Sequence, residues 1–256
     1  KDFSFVSQDS SSYLRDLGHN DGLEQLIDAV EKIDGVKTAR ILYLYPSTTT
    51  LNLIDKIADS KVFVNYFDMP LQHISQNMLK IMKRGKGAEK LIELMNYMRS
   101  KPNSFVRTTF IAGHPGESEE DFEELCSFVE EFGFDRGNVF SYSDEEGTSA
   151  ETRDDKIEQE LIDERAEILG DIISQTTIKS LENDIGKSFE VYIDGESEEH
   201  EYLLSARKTI WAPQIDGEIY INDNEDNIPI IFGEIYEVEA TELAGDKLLA
   251  KIIRKV

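Results

Sequence analysis

Cysteine is nearly absent from this chain of 256 residues, which contains only Cys126. A single thiol cannot form an internal disulfide, and it cannot by itself supply the thiolates of a zinc site or an iron–sulfur cluster. This cysteine content favours the cytoplasm as the compartment. Cys126 also lies at helical spacing from Phe122, Leu125 and Val129, which favours a buried apolar role over a reactive one.

Long hydrophobic runs are missing as well. No apolar stretch approaches the roughly 20 residues that a bilayer span needs, so we expect no membrane association. The sequence begins at Lys1 without an initiator methionine or a signal-peptide pattern and passes directly into the strand-like FSFV. We therefore expect it to be a piece of a longer protein.

Basic residues are scarce, with 27 Lys and Arg against 52 Asp and Glu, which gives a net charge of -25. Residues 190–256 alone contain 16 acidic and 6 basic residues, a net charge of -10. Binding to nucleic acid needs a positive surface, so tRNA is not an expected partner. A negative field attracts basic proteins, or it simply keeps the chain in solution. A local basic patch remains open at Lys80, Lys83, Arg84 and Lys86.

Short β-branched or aromatic runs alternate with helical stretches over the first 142 residues. The runs are 3–6, 38–44, 62–67, 104–112 and 138–142. Five strand–helix units in series predict a parallel sheet, in which the loops after the strands meet at one edge. These loops are 8–12, 45–47, 69–73, 113–117 and 141–147, and we expect any reaction centre there. Ser118 followed by three acids predicts the start of a helix.

The remaining sequence changes its pattern twice. A long polar helix is predicted over 152–184, packed on the first domain through an apolar side formed by Ile157, Leu161, Ile168 and Ile172. After Gly186, five short strands separated by turns, one of them at 222–227, predict a small closed or nearly closed β-barrel. The predicted domains are 1–150, a connecting helix at 151–185, and 186–256.

The predicted edge of the sheet collects candidate binding residues, and each has an ordinary structural alternative. The glycines of 113–117 allow a ligand to approach the backbone, or they serve a tight turn. Gln72 and His73 end a strand beside this opening, and His73 either meets a ligand or makes a structural hydrogen bond. Loop 8–12 offers hydrogen-bond acceptors for the hydroxyl groups of a ligand, or it is an ordinary loop that caps a helix. Arg107, on a strand, requires an anion, either an internal carboxylate or a ligand carboxylate.

Two further segments are candidates for contact with a partner. Asp144, Glu145 and Glu146 could grip a cationic partner or be ordinary surface acids. Trp211 and Asp216 stand in WAPQIDG, which is either a recognition segment or a turn with its Trp in the core.

Six segments in register resemble the radical S-adenosylmethionine (SAM) methylthiotransferases, and the resemblance covers essentially the whole chain. They are QDSSSYLRDLG (8–18), RILYLYP (40–46), YFDMPLQHIS (66–75) with MLKIMKR (78–84), RTTFIAGHPGESEEDF (107–122), SYSDEEGT (141–148) and WAPQIDGEIYI (211–221). PLQH, EEGT and the stretch 211–221 favour the group that modifies ribosomal protein S12 over the sister group that acts on tRNA adenosine. The acidic charge agrees with a basic protein partner.

The resemblance implies an incomplete (βα)6 radical SAM barrel, of which strands two to six are present, followed by a TRAM β-barrel. Family members hold two [4Fe-4S] clusters on cysteines that this sequence lacks, so we expect the isolated chain to be inactive, with neither a catalytic residue nor a metal ligand of its own. Two alternatives remain: an enzyme that methylthiolates tRNA adenosine, and a non-catalytic scaffold that docks to ribosomes.

For the whole protein the resemblance implies methylthiolation of the β-carbon of an aspartate in ribosomal protein S12, with SAM as cofactor. We expect a monomer. The motif positions that the resemblance places around SAM are Gln8, Asp9, Gln72, His73, Arg107, Gly113, Pro115 and Glu117.

Overall fold

The chain divides into two structural units. The computed structural model describes residues 1–85, 87–224 and 227–256, and these separate into Lys1–Thr176 and Thr177–Val256. Lys86 of the predicted basic patch lies outside the described residues, as do Glu225 and Asp226 of the predicted turn. The predicted division at 150 and 185 stays a prediction, since the break between the units falls inside a helix.

A parallel sheet with strand order β1-β2-β3-β4-β5 organises the first unit, as predicted. The strands are β1 (Asp2–Phe5), β2 (Thr38–Ile41), β3 (Phe63–Asp68), β4 (Phe105–Ala112) and β5 (Arg136–Ser141). The helices are α1 (Gly22–Val30), α2 (Leu51–Ala58), α3 (Gln76–Ile81), α4 (Ala88–Arg99), α5 (Glu119–Phe132) and α6 (Gln159–Glu182). Short 3₁₀ helices stand at Ser10–Ser12 and Arg15–Leu17.

The two faces of the sheet differ because side chains alternate along each strand. On β4, Val106 and Phe110 belong to the hydrophobic core between sheet and helices. The intervening Arg107, Thr109 and Ile111 line a cavity on the other face. The apolar side chains on one face thus pack the sheet against the helices, and the side chains on the other face are available for a binding site.

Helix α5 begins as predicted, with a capping box at Ser118. The Ser118 hydroxyl accepts a hydrogen bond from the Asp121 amide at 3.1 Å, and the Asp121 carboxylate accepts from the Ser118 amide at 3.1 Å. This pair satisfies donors that a helix start leaves unbonded. It also fixes the residue that precedes the cap, Glu117, next to the end of β4.

Helix α6 packs on the first unit through a face that differs from the predicted one. Leu161 and Ile168 are 37% and 42% exposed, so the predicted stripe is wrong at these two positions, whereas Ile172 packs against the core as predicted. The buried face contains Ile162, Leu169 and Ile173, together with an arginine, Arg165. A charged residue in the middle of the buried face breaks the apolar pattern, and the sequence pattern then favours the neighbouring stripe.

The second unit is a closed barrel with strand order β10-β8-β7-β6-β9, which confirms the predicted barrel. Its strands are β6 (Ser188–Glu196), β7 (Leu204–Lys208), β8 (Ile219–Asp223), β9 (Ile235–Ala244) and β10 (Lys247–Lys255). Alternate side chains such as Val191, Ile193, Val238 and Ala250 are fully buried. Closure removes exposed strand edges from a barrel of this small size. Among the described residues, no helix combines the length and apolar character that a bilayer span requires.

Candidate functional site

A cavity of about 1210 Å³ opens where the strands of the parallel sheet end. Each of the five predicted loops contributes to its wall, as the lining residues Gln8, Tyr45, Gln72, His114 and Ser141 illustrate. Parallel strands with crossover connections bring these loops to one edge, which is where ligands bind in such sheets. The predicted gathering of the loops is confirmed.

The loop after β1 is tied to the loop after β2 by its serines. The Ser10 hydroxyl donates to the Leu42 carbonyl at 2.6 Å, and the Ser11 hydroxyl accepts from the Tyr45 amide at 2.9 Å. The carboxylate of Asp9 accepts from the Ser11 hydroxyl at 2.7 Å. Gln8 lies on the cavity wall. Asp9 instead stabilises the loop through its hydrogen bond with Ser11.

Gln72 combines an unusual backbone with an unpaired side chain. Its φ is +70°, a conformation that costs a residue other than glycine about 1 kcal/mol or more. Its amide donates to the Thr109 carbonyl at 2.8 Å, and its carbonyl accepts from the Ile111 amide at 2.9 Å. The side-chain oxygen Oε1 is buried and has no hydrogen-bond partner among the described residues. A buried acceptor left without a donor is unfavourable unless a ligand supplies one.

Arg107 and Asp68 form an ion pair on the cavity side of the sheet. The guanidinium Nη1 lies 3.1 Å from Oδ1 of Asp68, whose other oxygen accepts from the Tyr43 amide at 3.0 Å. Burial raises the pKa of Asp68, and the charge of Arg107 opposes that rise. Arg107 therefore has the internal carboxylate partner that was the first predicted alternative. It also lines the cavity, where the second alternative, a ligand carboxylate, could be bound.

His73 and Glu117 meet in a buried network beside the cavity, and neither lines it. Nε2 of His73 lies 3.2 Å from Oε1 of Glu117, and Nδ1 accepts from the Ser75 amide at 3.0 Å. Oε2 of Glu117 accepts from the Gly113 amide at 2.9 Å and from Arg165 Nη1 at 2.7 Å. Every polar atom of the two side chains is thus paired internally.

Gly113 and Pro115 likewise lie outside the cavity wall. Gly113 has a φ of +79°, and a Cβ built on it would lie 2.6 Å from Cγ1 of Ile162. Glycine is therefore required both by the backbone and by the close approach of α6. Of the eight residues predicted around SAM, the structure brings Gln8, Gln72 and Arg107 together on the wall.

His114 lies within the predicted loop 113–117 and lines the cavity. Its ring packs edge-on against Tyr142, with the ring centroids 5.0 Å apart. Burial lowers the pKa of His114, which favours the neutral ring at neutral pH. Tyr43, Tyr45 and Arg84 also line the cavity, although none of them was named as a binding residue from the sequence. The alternation of tyrosines in RILYLYP was the available signal for the first two.

The predicted partner residues fall into two environments. Asp144, Glu145 and Glu146 are exposed in the loop after β5. In the second unit, Trp211 and Asp216 are buried, and Oδ2 of Asp216 accepts from the Ala212 amide at 2.7 Å. These two side chains shape a turn, as the structural alternative for WAPQIDG anticipates, and neither reaches the surface to contact a partner.

Metal ligands are not assembled in the part of the chain that the structure describes. There, no three His, Cys, Asp or Glu side chains are grouped as a metal ion would need. Cys126 is half-buried, and desolvation raises the pKa of its thiol to about 11. A single thiol also cannot supply the set of thiolates that an iron–sulfur cluster needs.

Comparisons with known proteins identify the class to which this fold and cavity belong. Residues 7–129 match the radical SAM superfamily, and residues 185–253 match the TRAM domain. The chain therefore combines a radical SAM domain with a TRAM domain.

The sequence relatives are more specific. The chain is 78% identical over 255 residues to "Ribosomal protein uS12 methylthiotransferase RimO" of Aliarcobacter butzleri. It is 61% and 53% identical to the proteins of the same name from Sulfurovum sp. and Campylobacter jejuni (strain RM1221). The chain belongs to the RimO group of the radical SAM methylthiotransferases.

The alignments cover only part of each relative. The alignments cover 99% of this chain but 57% of the Aliarcobacter and Sulfurovum proteins, and 100% of this chain but 58% of the Campylobacter protein. The chain thus spans little more than half the length of the curated relatives it matches. Among solved structures, coproporphyrinogen III oxidase (HemN) from Escherichia coli, a radical SAM enzyme, is 19% identical, with a TM-score of 0.47 over 64% of this chain and 37% of that one.

Proposed function

We propose that the cavity of the first unit binds SAM, and that the whole protein methylthiolates the β-carbon of an aspartate in ribosomal protein S12. The reaction takes place in the cytoplasm, and the protein acts as a monomer. The observation that carries the proposal is the buried, unpaired Oε1 of Gln72 beside a cavity at the end of the parallel strands.

The residues present fit SAM. Its ammonium, ribose hydroxyls and adenine amine are all donors, and Gln72 holds an unsatisfied acceptor. A volume of about 1210 Å³ exceeds the upper end of the range typical of small-molecule sites, which leaves room for a substrate side chain as well. When bound, SAM supplies radical hydrogen abstraction and a methyl group, and the protein supplies orientation.

This chain's own residues hold the site in place. Gln8, Gln72 and Arg107 contact the ligand, while Asp68 holds the Arg107 guanidinium from below the cavity. Glu117 and Arg165 fix the loop 113–117, so that its backbone keeps one position. A preorganised loop spares the ligand the cost of ordering it.

Iron–sulfur clusters do not fit the residues of this chain, because it has one cysteine and a [4Fe-4S] cluster is held by several thiolates. We propose that two [4Fe-4S] clusters are held by cysteines outside these 256 residues, and we derive no step through them. The 256-residue polypeptide by itself is then inactive.

Electrostatics support a basic protein substrate over tRNA. The barrel segment 190–256 carries a net charge of -10, and the exposed acids Asp144, Glu145 and Glu146 stand in the loop beside the cavity. Each of these two groups of negative charge repels a phosphate backbone and attracts a Lys- and Arg-rich ribosomal protein. No tRNA partner is proposed.

SAM titration of the full-length, cluster-loaded protein tests the site. Gln72→Ala should weaken SAM binding by about tenfold, since it removes one buried hydrogen bond. Gln159→Ala, which alters an exposed glutamine on α6 whose amide donates to Asp163, is the matched control and should leave affinity unchanged. Equal affinities for wild type and Gln72→Ala would remove Gln72 from the SAM site.

A further inference from the structure

Arg84 is a cavity-lining cation that has no anionic partner among the residues that the structure describes. Its guanidinium carbon lies 5.2 Å from the centroid of the Tyr45 ring, a cation–π distance. Among the described residues, its side chain makes neither an ion pair nor a hydrogen bond. Arg107, the other arginine on the cavity wall, is paired with Asp68. In a chain with a net charge of -25, an arginine left without a carboxylate stands out.

The backbone of Arg84 is fixed by the end of helix α3. The Arg84 amide donates to the Leu79 carbonyl at 2.8 Å, and the Lys83 amide donates to the Lys80 carbonyl at 3.2 Å. Lys83 between them has a φ of +56°. These two bonds and the left-handed residue form a Schellman motif, which terminates the helix at a defined angle. The position of Arg84 is thus built into the fold.

The aromatic platform under the guanidinium is fixed as well. The Tyr45 amide donates to Ser11 Oγ at 2.9 Å, and its carbonyl accepts from the Thr49 amide at 3.0 Å and the Thr49 hydroxyl at 2.9 Å. Both polar groups of the Tyr45 backbone are therefore held by neighbouring loops. A guanidinium stacked on a held ring keeps its donor edges available for a ligand.

Arg84 lies at the rim of the cavity. Its neighbours Lys83 and Gly85 are exposed, whereas Arg84 itself is half-buried. A group that enters from solvent meets this rim before it reaches Gln72 and Arg107. Arg84 is therefore accessible to a side chain that enters the cavity from solvent.

We propose that Arg84, stacked on Tyr45, is a specificity-determining residue that binds the carboxylate of the substrate's acidic side chain. The inference rests on the proposed function, which makes an aspartate the target. An acidic protein repels an aspartate unless a local cation offsets the field, and a guanidinium can bind a carboxylate through two parallel hydrogen bonds. The SAM carboxylate and a nucleic-acid phosphate are the competing anions.

The experiment uses the full-length, cluster-loaded protein and two peptides from ribosomal protein S12. One peptide carries the target aspartate, and the other carries asparagine in its place. Dissociation constants for both peptides and for SAM are measured in wild type, Arg84→Gln and Arg84→Lys. Lys80→Gln is the matched control, because it removes the same charge four residues away at an exposed position that does not line the cavity.

Arg84→Gln should weaken binding of the aspartate peptide by about tenfold and leave asparagine-peptide and SAM affinities unchanged. Arg84→Lys should retain part of the preference, and Lys80→Gln all of it. Equal losses for the two peptides, or none, overturn the inference. A loss of SAM affinity assigns Arg84 to the SAM carboxylate and also overturns it.

Failure of the proposed function gives a different pattern. A wild type that binds SAM but shows no preference for the aspartate peptide overturns the role of Arg84 and leaves the SAM site standing. A wild type that binds neither SAM nor peptide refutes the proposed function itself. If Arg84→Gln does not fold, as judged by its circular dichroism spectrum, the preference measured with Arg84→Lys decides.

Discussion

Glu117 and Arg165 form an ion pair of 2.7 Å in which the side chains are 0% and 4% exposed. Glu117 lies two residues before α5, and Arg165 lies in the first third of α6. The same carboxylate also accepts from the Gly113 amide at the end of β4. One buried acid thus joins a strand end and a helix next to the proposed SAM cavity.

Removing Arg165 should destabilise the first unit. Arg165→Ala leaves the Glu117 carboxylate buried without its cation, which costs about 3 kcal/mol of unfolding free energy. Chemical denaturation of the 256-residue chain measures this loss. Adding Glu117→Gln to Arg165→Ala should recover part of it, because the uncompensated charge is gone. Arg153→Ala, which breaks an exposed pair with Asp155, is the control and should change stability little.

Replacement of Gly113 should cost more than replacement of another glycine with positive φ. Gly113→Ala combines backbone strain with a contact of 2.6 Å to Ile162, so we expect a loss of about 3 kcal/mol. Gly133→Ala carries the strain without any contact within 4 Å and should cost about 1 kcal/mol. Thermal or chemical unfolding compares the two variants. Equal losses would mean that α6 does not approach Gly113 closely.

Asp121 should contribute to stability in a pH-dependent way. Burial alone would raise the pKa of Asp121, but hydrogen bonds from Ser75, Asn77 and Ser118 outweigh burial and lower it. A folded pKa below the unfolded value stabilises the protein above about pH 4, and this contribution is lost as the pH falls through the folded pKa.

The difference in unfolding free energy between wild type and Asp121→Asn measures that contribution. It should be about 1 kcal/mol at pH 7 and should shrink as the pH is lowered below about 4. Glu120→Gln, in the same helical turn, controls for the change in net charge. A difference that stays constant down to pH 2 would show that the Asp121 charge has no such role.

The acidic loop after β5 should promote docking of the basic substrate. Glu145→Gln with Glu146→Gln should weaken binding of ribosomal protein S12 several-fold at low salt, and the difference should diminish as salt screens the charges. Glu123→Gln with Glu124→Gln, exposed on α5, removes the same charge elsewhere and should have less effect. Equal effects of the two pairs would point to net charge rather than to this loop.

The sequence predicted the parallel sheet, the barrel and the loops that meet at the cavity, because those features follow from local periodicity and crossover geometry. The start of α5 could also be predicted, because the capping box forms between Ser118 and Asp121, which are three residues apart, without any distant residue. Gln8, Gln72 and Arg107 reached the cavity wall because they follow or lie on its strands.

Other features depend on contacts between distant residues, which one sequence does not reveal. Arg165 occupies a buried position of α6 because its guanidinium pairs with Glu117. The sequence pattern therefore placed Leu161 and Ile168 on the buried face, where the structure has Ile162 and Leu169. His73 and Glu117 turn away from the cavity because they pair with each other. The role of Arg84 depends on a Schellman turn in which Lys83 stands where glycine is usual.

The most direct test incubates the full-length, cluster-loaded protein with SAM, a reductant, ribosomal protein S12 and tRNA in one reaction. Mass spectrometry then maps any methylthio group on either product. The account predicts modification at an aspartate of S12, with the tRNA unchanged. A methylthiolated adenosine in the tRNA, with S12 unmodified, would contradict it.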